Sequence, residues 1–426
     1  MRVSHGASPS DEANARRKDE MPRALRVALV AESFLPAING VTNSVLRVAN
    51  HLTRLGHICH IYAPSGGAPY VELANGTRLP VTRIKSLPFP GYSSVRVTFG
   101  KKDLDRALEV FSPDVIHLAS PALLGRNALA YAERTKTPVV AIYQTDLVGF
   151  AEDYRIPLGP KIAKRLVRSI HNKATMTLAP STDAINALRE NEVENVHYWP
   201  RGVDSLAFSP AHRDGALRSA LAPRGELIVG FVGRLAPEKR PMDLMPISKM
   251  DGVKLVVVGD GPEARNLKTH MRGVVFFGEL RGSALARVMA SLDVLVHTGW
   301  HETFCQTVQE SLASAVPVIA PPAGGPRDLV SHEKTGWLID TKCPQTLTEL
   351  VTQLRDNREL VRQKRPVARE SVSARTWSKV GNALLEHYYQ TLGEPVEAPI
   401  EKLATVTALH DSLAEVETRD SVKQAA

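Results

Sequence analysis

The sequence predicts an α/β protein of two doubly wound, parallel-sheet halves facing one another across a cleft, and three observations predict it. Short β-branched runs alternate with stretches of helical periodicity from about residue 24 to about residue 392, the pattern of parallel sheets covered by helices on both faces. That series runs through twice, with the polar stretch 209–225 near the junction. At 426 residues the chain is too long for one hydrophobic core, and two domains of ordinary size are the natural division.

In the first series, strands are expected at residues 25–31, 58–63, 115–118, 139–143, 176–178 and 196–199. The first runs into a turn with Pro36, Asn39 and Gly40, and then into a helix with Val41, Val45, Val48, Leu52 and Leu55 on one face. In the second series, strands are expected at 227–232, 254–258, 274–277, 294–297, 316–320 and 337–339. Residues 1–21 and 393–426 are polar and read as tails. Residues 22–205 then form the first domain and 206–375 the second, with 376–392 a helix long enough to cross back onto the first. Open α/β sheets bind ligands outside the carboxyl ends of their strands, so the chemistry is expected in the cleft.

A content of 43% hydrophobic and 23% charged residues is that of a soluble globular chain. No apolar run reaches the length of a membrane span and the first twenty residues lack the apolar centre of a secretion signal, so a cytoplasmic location is expected. Cys59, Cys305 and Cys343 are odd in number and far apart, which indicates neither a disulfide framework nor a thiolate metal site. The net charge of +8 implies an anionic partner: nucleic acid, an anionic membrane or phosphorylated ligands. Nucleic acid is the weakest of these, since no zinc-finger, RNA-binding or helix-turn-helix signature is present.

Residues 300–310 place Glu302 before a helix and Glu310 on it. Carboxylates accept hydrogen bonds from vicinal hydroxyls, and a sugar nucleotide offers two such sets, on the hexose and on the ribose. The backbone amides of Thr303, Phe304, Cys305, Gln306 and Thr307 would open the helix and face the anionic part of the ligand. Arg234 and Lys239 follow the strand 227–232, where a guanidinium and an ammonium together suit a diphosphate and its developing charge. Gly259 and Gly261, the segment 277–281 and the flexible pair Gly324 and Gly325 end other strands of the second half. In the first half, Gly40 lets helix-start amides approach a phosphate, while His117, Gln144 and Asp146 stand at strand ends as acceptor-side candidates.

Two patterns resemble metal sites without being read as such. Asp103 and Asp105 belong to a helix start beside Lys101 and Lys102, where carboxylates favour the helix dipole. His297 and His301 straddle a strand end and a loop and would not share a helical face. Lys161, Lys164, Arg165 and Arg168 recur at helical spacing and make a basic amphipathic helix. Arg78, Arg83, Lys85, Arg96, Lys101 and Lys102 in the same domain favour contact with an anionic membrane through it.

Taken in order, Asn39-Gly40-Val41, residues 201–204, 232–239 and 259–262, Glu302 to Glu310 and Gly324-Gly325 resemble the retaining GT-B glycosyltransferases of family 4 over about residues 24–392. The resemblance implies two Rossmann-like domains, a nucleotide-sugar donor held mainly by the second, an acceptor held mainly by the first, and no catalytic metal or other cofactor. It assigns Arg234 and Lys239 to the diphosphate, Glu302 and Glu310 to the paired carboxylates, and Leu280 with Arg281 to the base. Arg234, Lys239 and Glu302 are the expected catalytic set. More narrowly, the chain looks like actinobacterial α-mannosyltransferases that use GDP-mannose on membrane glycolipids of the glucuronosyl-diacylglycerol or phosphatidylinositol mannoside type, which implies peripheral attachment to the inner face of the plasma membrane. It departs from many relatives in having Gln144 where they carry His and Cys305 where they carry Gly. UDP-glucose or a UDP-sulfoquinovose-like donor remains open on these residues, and a nucleotide-sugar 2-epimerase or a non-enzymic sugar-nucleotide binder shares the architecture.

Overall fold

A computed structural model describes residues 23–394 apart from 90–91 and 154–157. The tail 1–21 and nearly all of 393–426 lie outside the described residues. The first domain contains β1 (Arg26–Ala31), β2 (Ile58–Pro64), β3 (Tyr70–Glu72), β4 (Arg78–Ile84), β5 (Ser86–Phe89), β6 (Tyr92–Thr98), β7 (Val115–Ala119), β8 (Val139–Ile142), β9 (Met176–Ala179) and β10 (Val196–Tyr198). Eight of these form one sheet in the order β10-β9-β8-β7-β1-β2-β4-β3, and β5 and β6 pair as a separate hairpin. All pairings in the large sheet are parallel except β3 with β4.

The second domain contains β11 (Leu227–Val232), β12 (Val253–Val258), β13 (Val275–Gly278), β14 (Val294–Val296), β15 (Val318–Ala320) and β16 (Gly336–Leu338). Their order is β13-β12-β11-β14-β15-β16, parallel throughout. The strand order reverses between β11 and β14, and the crevice at such a switch point is where doubly wound sheets bind ligands.

The two-residue period of each central strand divides its side chains between two cores. Val27 and Leu29 of β1 join one apolar cluster, and Ala28 and Val30 join the cluster on the opposite face. In β11, Val229 and Phe231 face one core, and Ile228 and Val232 the other. These fully covered strands are the ones legible as continuous apolar runs. The four strands absent from the sequence reading, β3 to β6, lie at the sheet edge or in the hairpin. There β4 alternates exposed and buried residues and carries Pro80, so it lacks the apolar run of a buried strand.

The last helix, Trp377–Thr391, packs Val380, Leu384, Leu385, Tyr388 and Tyr389 into the core of the first domain. The Trp199 indole donates to the Val380 carbonyl at 2.9 Å. The chain thus crosses to the second domain near residue 205 and returns near residue 376, where Val203 bridges Thr376.

Candidate functional site

β11 and β14 deliver the central groups of the site. Gly233 and Arg234 follow β11, and residues 297–305 follow β14 as an irregular segment leading into helix Gln306–Ala313. The Lys239 ammonium bonds Oε1 of Glu302. His297 Nε2 lies 3.2 Å from the same oxygen, and the Thr298 hydroxyl donates to the Lys239 carbonyl at 2.7 Å. Arg234 has a half-exposed side chain with Glu238 3.7 Å away.

This cluster fixes its own charge. Burial opposes ionisation of Glu302, but the Lys239 ammonium and the His297 ring outweigh it and hold the carboxyl at about 2. Burial likewise lowers the His297 pKa, and the Cys305 sulfur and Glu302 carboxylate outweigh it and raise it to about 10. Lys239 is raised because Glu302 overcomes the desolvation that would lower it. A carboxylate ionised across the physiological range is suited to accept hydroxyl hydrogen bonds.

His297, Glu302 and Cys305 bring one ligand atom each within 4.8 Å of one another. The sulfur lies 3.6 and 3.7 Å from the two ring nitrogens, within hydrogen-bonding distance of either. The Lys239 ammonium is bonded to the same carboxylate.

Packing holds the Glu302 segment. A Cβ on Gly324 would stand 2.4 Å from the Glu302 carbonyl oxygen, and one on Gly325 would stand 1.8 Å from that of Phe304. The Gly325 amide donates to the Glu302 carbonyl at 2.8 Å. The glycine pair read from sequence as flexible is therefore a close-packed cradle, with only hydrogen atoms facing the loop. Cys305 has φ 74° and precedes the helix without a side-chain cap bond, so the first amides of helix Gln306–Ala313 are not taken by it. Phe304 and Cys305 are buried, Thr307 and Glu310 half-buried. The helix opens at Gln306, later than the Thr303 start expected from sequence.

Helix Gly40–Arg54 differs. Asn39 Oδ1 accepts from the amides of both Val41 and Thr42 at 3.0 Å, so two of the amides expected to meet a phosphate near Gly40 are already capped. Arg201 donates to the Gly40 carbonyl at 3.0 Å and also to Gln144 Oε1. This arginine is almost fully buried, and burial lowers its pKa to about 10. Thr303 donates to the Gln144 carbonyl at 2.9 Å, while Gln306 and Gln309 donate to the Gly202 and Arg201 carbonyls, each at 3.1 Å. Both walls of the cleft thus meet at Gln144, whose Nε2 is buried without a partner among the described residues.

The other acceptor-side candidates are placed differently. His117 is a correction: it is wholly buried in the first domain, its Nδ1 2.7 Å from the Tyr388 hydroxyl, and burial lowers its pKa to about 3. It points from β7 into the packing of the last helix, away from the cleft. Asp146 Oδ1 accepts from Val148 and Gly149 at 3.1 and 2.9 Å and from the Tyr143 hydroxyl at 3.2 Å, so it caps helix Leu147–Asp153. It still borders the cleft, because a Cβ on Gly149 would touch both Asp146 and His301. Leu280 packs against the second core and Arg281 pairs with Glu279 at 2.6 Å just beyond β13. Asp103 sits in the first turn of helix Lys101–Phe111 and Asp105 pairs with Arg134 at 3.4 Å.

Sequence reasoning did not assign roles to Arg201, His297, Gln306 side chain or Gln309. Arg201 lies in a segment singled out by order alone, and nothing in its neighbours signals a partner at Gln144. It also passed over Glu32, which follows β1 at the switch point of the first sheet. Its Oε1 accepts from the Ala122 and Gly125 amides at 2.7 and 2.8 Å, and burial outweighs those bonds to raise its pKa to about 7.

Helix Gly159–His171 buries Ala163, Val167 and Ile170 and exposes Lys161, Lys164, Arg165 and Arg168. Arg168 pairs with Glu192. Ile162 and Leu158 stand 60% and 69% exposed beside these cations, which places apolar groups on the basic face itself. No described helix is long and apolar enough to cross a membrane.

Comparison with known proteins gives the family and the fold. Residues 38–205 match Glycosyltransferase Family 4 and residues 214–371 match Glycosyl transferases group 1. The chain is 48% identical over 377 residues to a GDP-mannose-dependent alpha-mannosyltransferase of Mycolicibacterium smegmatis, covering 87% of this chain and 98% of that protein. It is 24% identical over 378 residues to a GDP-mannose-dependent alpha-(1-6)-phosphatidylinositol dimannoside mannosyltransferase of Mycobacterium tuberculosis, covering 85% of this chain and 95% of that one. Its fold is similar to that of a sucrose-phosphate synthase from Thermosynechococcus elongatus, with a TM-score of 0.74, 18% identity and coverage of 87% and 99%.

Proposed function

Since the chain belongs to the retaining GT-B glycosyltransferases of family 4, we propose that it transfers mannose from GDP-mannose to a membrane glycolipid of the glucuronosyl-diacylglycerol or phosphatidylinositol mannoside type, in cell-envelope lipoglycan synthesis. The observation that carries this reading is the ion pair of Lys239 with ionised Glu302 at the β11–β14 switch point, with half-exposed Arg234 on the same segment after β11.

The diphosphate lies between Arg234 and Lys239 and the amides that open helix Gln306–Ala313. Glu302 accepts hexose hydroxyls and Glu310 those of the ribose. The acceptor hydroxyl attacks the anomeric carbon from the face that the diphosphate leaves. Its proton passes to the departing phosphate oxygen, the old carbon–oxygen bond breaks as the new one forms, and the two cations stabilise the charge on the leaving group. This route needs neither a protein nucleophile nor a metal.

On the acceptor side, Arg83 donates to the Ala68 and Pro64 carbonyls at 2.9 and 3.3 Å, and Arg96 to the Ser86 hydroxyl and carbonyl at 2.9 and 3.1 Å. Neither has a carboxylate partner among the described residues, which supports an acidic acceptor headgroup. The exposed face with Leu158, Lys161, Ile162, Lys164 and Arg165 docks the first domain on an anionic membrane from the cytoplasmic side.

The test is incubation with radiolabelled GDP-mannose, UDP-glucose and UDP-sulfoquinovose in turn, each with defined diacylglycerol glycolipids. Labelled mannolipid of retained α configuration from GDP-mannose alone is expected. Label transferred only from a UDP-sugar, or a changed nucleotide sugar without acceptor, overturns the proposal.

A further inference from the structure

At the amino ends of the second sheet, opposite the donor site, a cavity of about 350 Å³ opens between helices Gly215–Leu221 and Glu359–Glu370. Arg213, Arg218 and Arg358 converge there on one carboxylate, Asp293, and Arg365 lines the same cavity. Arg213 and Arg218 reach its Oδ1 at 3.1 and 3.0 Å, and Arg358 reaches Oδ2 at 3.6 Å. Asp293 Oδ2 also accepts from the Ile228 amide at 3.0 Å.

Carbonyls at the end of helix Gly282–Ser291 explain part of the cluster. Arg213 donates to those of Ala290 and Leu292 at 3.0 and 2.9 Å, and Arg218 to that of Ser291 at 2.6 Å. Such oxygens carry partial negative charge, and they fix the guanidiniums in place without neutralising them. Glu226, also at the cavity wall, is matched by Arg224 at 3.0 Å. With Arg362, a fifth lining arginine, matched by Glu359 at 3.7 Å, four guanidiniums remain against one carboxylate, leaving three positive charges in a concave space. Arg365 makes no ion pair among the described residues; its bond is a 3.3 Å contact with the Leu292 carbonyl. Burial and the neighbouring Arg213 lower its pKa to about 10, and Asp293 only partly offsets them.

We propose that this cavity is a second anion site, built for a small free anion carrying two phosphates. The volume is at the lower end for small-molecule sites, and preset guanidinium forks suit phosphate oxygens. It is separate from the donor site: β11 begins at the cavity with Leu227 and ends at Val232, so the two lie roughly 20 Å apart at about 3.3 Å per residue.

The test is calorimetric titration of pyrophosphate into the full chain with the donor site saturated by GDP, beside orthophosphate and sodium chloride at matched ionic strength. A saturable 1:1 site for pyrophosphate, weaker for orthophosphate and absent for chloride, is expected. Arg365→Gln should weaken it at least tenfold while Arg234→Ala leaves it unchanged. Absence of saturable heat under GDP, or equal affinity in folded Arg365→Gln, overturns the proposal. Should that variant melt abnormally, Arg362→Gln replaces an exposed cavity arginine whose partner is Glu359 at 3.7 Å, and unchanged pyrophosphate affinity in it then overturns the proposal.

Discussion

Lys239 and Glu302, 63 positions apart, are joined directly through Nζ and Oε1 at the carboxyl ends of β11 and β14. Arg234, the other cation of the pair, lies half-exposed with Glu238 at 3.7 Å as its ion-pair partner among the described residues. Their alanine variants should therefore separate. Each loses turnover about ten- to a hundredfold, as expected when a charged hydrogen bond worth about 1.5–3 kcal/mol is removed. Only Lys239→Ala should also lower the melting temperature, because it strips an ammonium from a nearly buried carboxylate. Rates within twofold of the parent in both variants would remove the diphosphate assignment.

Arg201 ties the Gly40 carbonyl to the Gln144 side chain from a buried position. Arg201→Lys keeps the charge but has no fork to reach both acceptors. It should lose about 1–3 kcal/mol of stability together with most activity. Denaturant titration beside initial rates checks this, and a variant as stable and active as the parent contradicts the role.

Burial holds His51, His57 and His171 at about 4 and His117 at about 3, against an ordinary 6.5. The unfolded chain binds these protons near pH 6.5 and the folded chain does not, so their contribution is complete above 6.5 and lost as pH falls towards 4. Each steepens the loss by up to about 1.4 kcal/mol per pH unit. His297 acts oppositely: raised to about 10, it contributes fully below 6.5 and loses that contribution as pH rises towards 10. Glu302, held at about 2 against 4.5, contributes above 4.5 and loses its share only as pH falls from there towards 2. Melting temperature should fall steeply between pH 6.5 and 4.5; a flat profile there would show the histidines to be solvated.

In the proposed mechanism Arg234 and Lys239 stabilise the leaving-group charge without a divalent ion. Turnover should persist after exhaustive chelation, with less than twofold change on adding Mg²⁺ or Mn²⁺. A strict requirement for either would reopen Asp103 and Asp105, or the His297, Glu302 and Cys305 cluster.

Replacing Lys161, Lys164, Arg165 and Arg168 by Gln should weaken sedimentation with anionic vesicles, and binding by the parent should decline as salt shortens the roughly 8 Å screening length. Affinity for GDP should not change, since its proposed contacts lie in the other domain. Because Arg168 already pairs with Glu192, the triple variant retaining it should lose nearly as much. Equal sedimentation of parent and variant would make this helix an ordinary solvated face.

The sequence by itself determined the two α/β halves, because a strand covered on both faces must be apolar throughout and a covering helix apolar on one side. It also determined that Arg234, Lys239, Glu302 and Glu310 follow strands of the second half, since their order along the chain is local information. The edge strands β3 to β6 escaped it because partial exposure removes the apolar run. Only the tertiary structure decided that Thr303 meets Gln144, that Arg201 joins Gly40 to Gln144, and that His117 lies against Tyr388, 271 positions away. Periodicity encodes which way a side chain faces relative to its own element. What it meets there depends on strand order and on how one domain closes over the other, and those are set by packing of the whole chain.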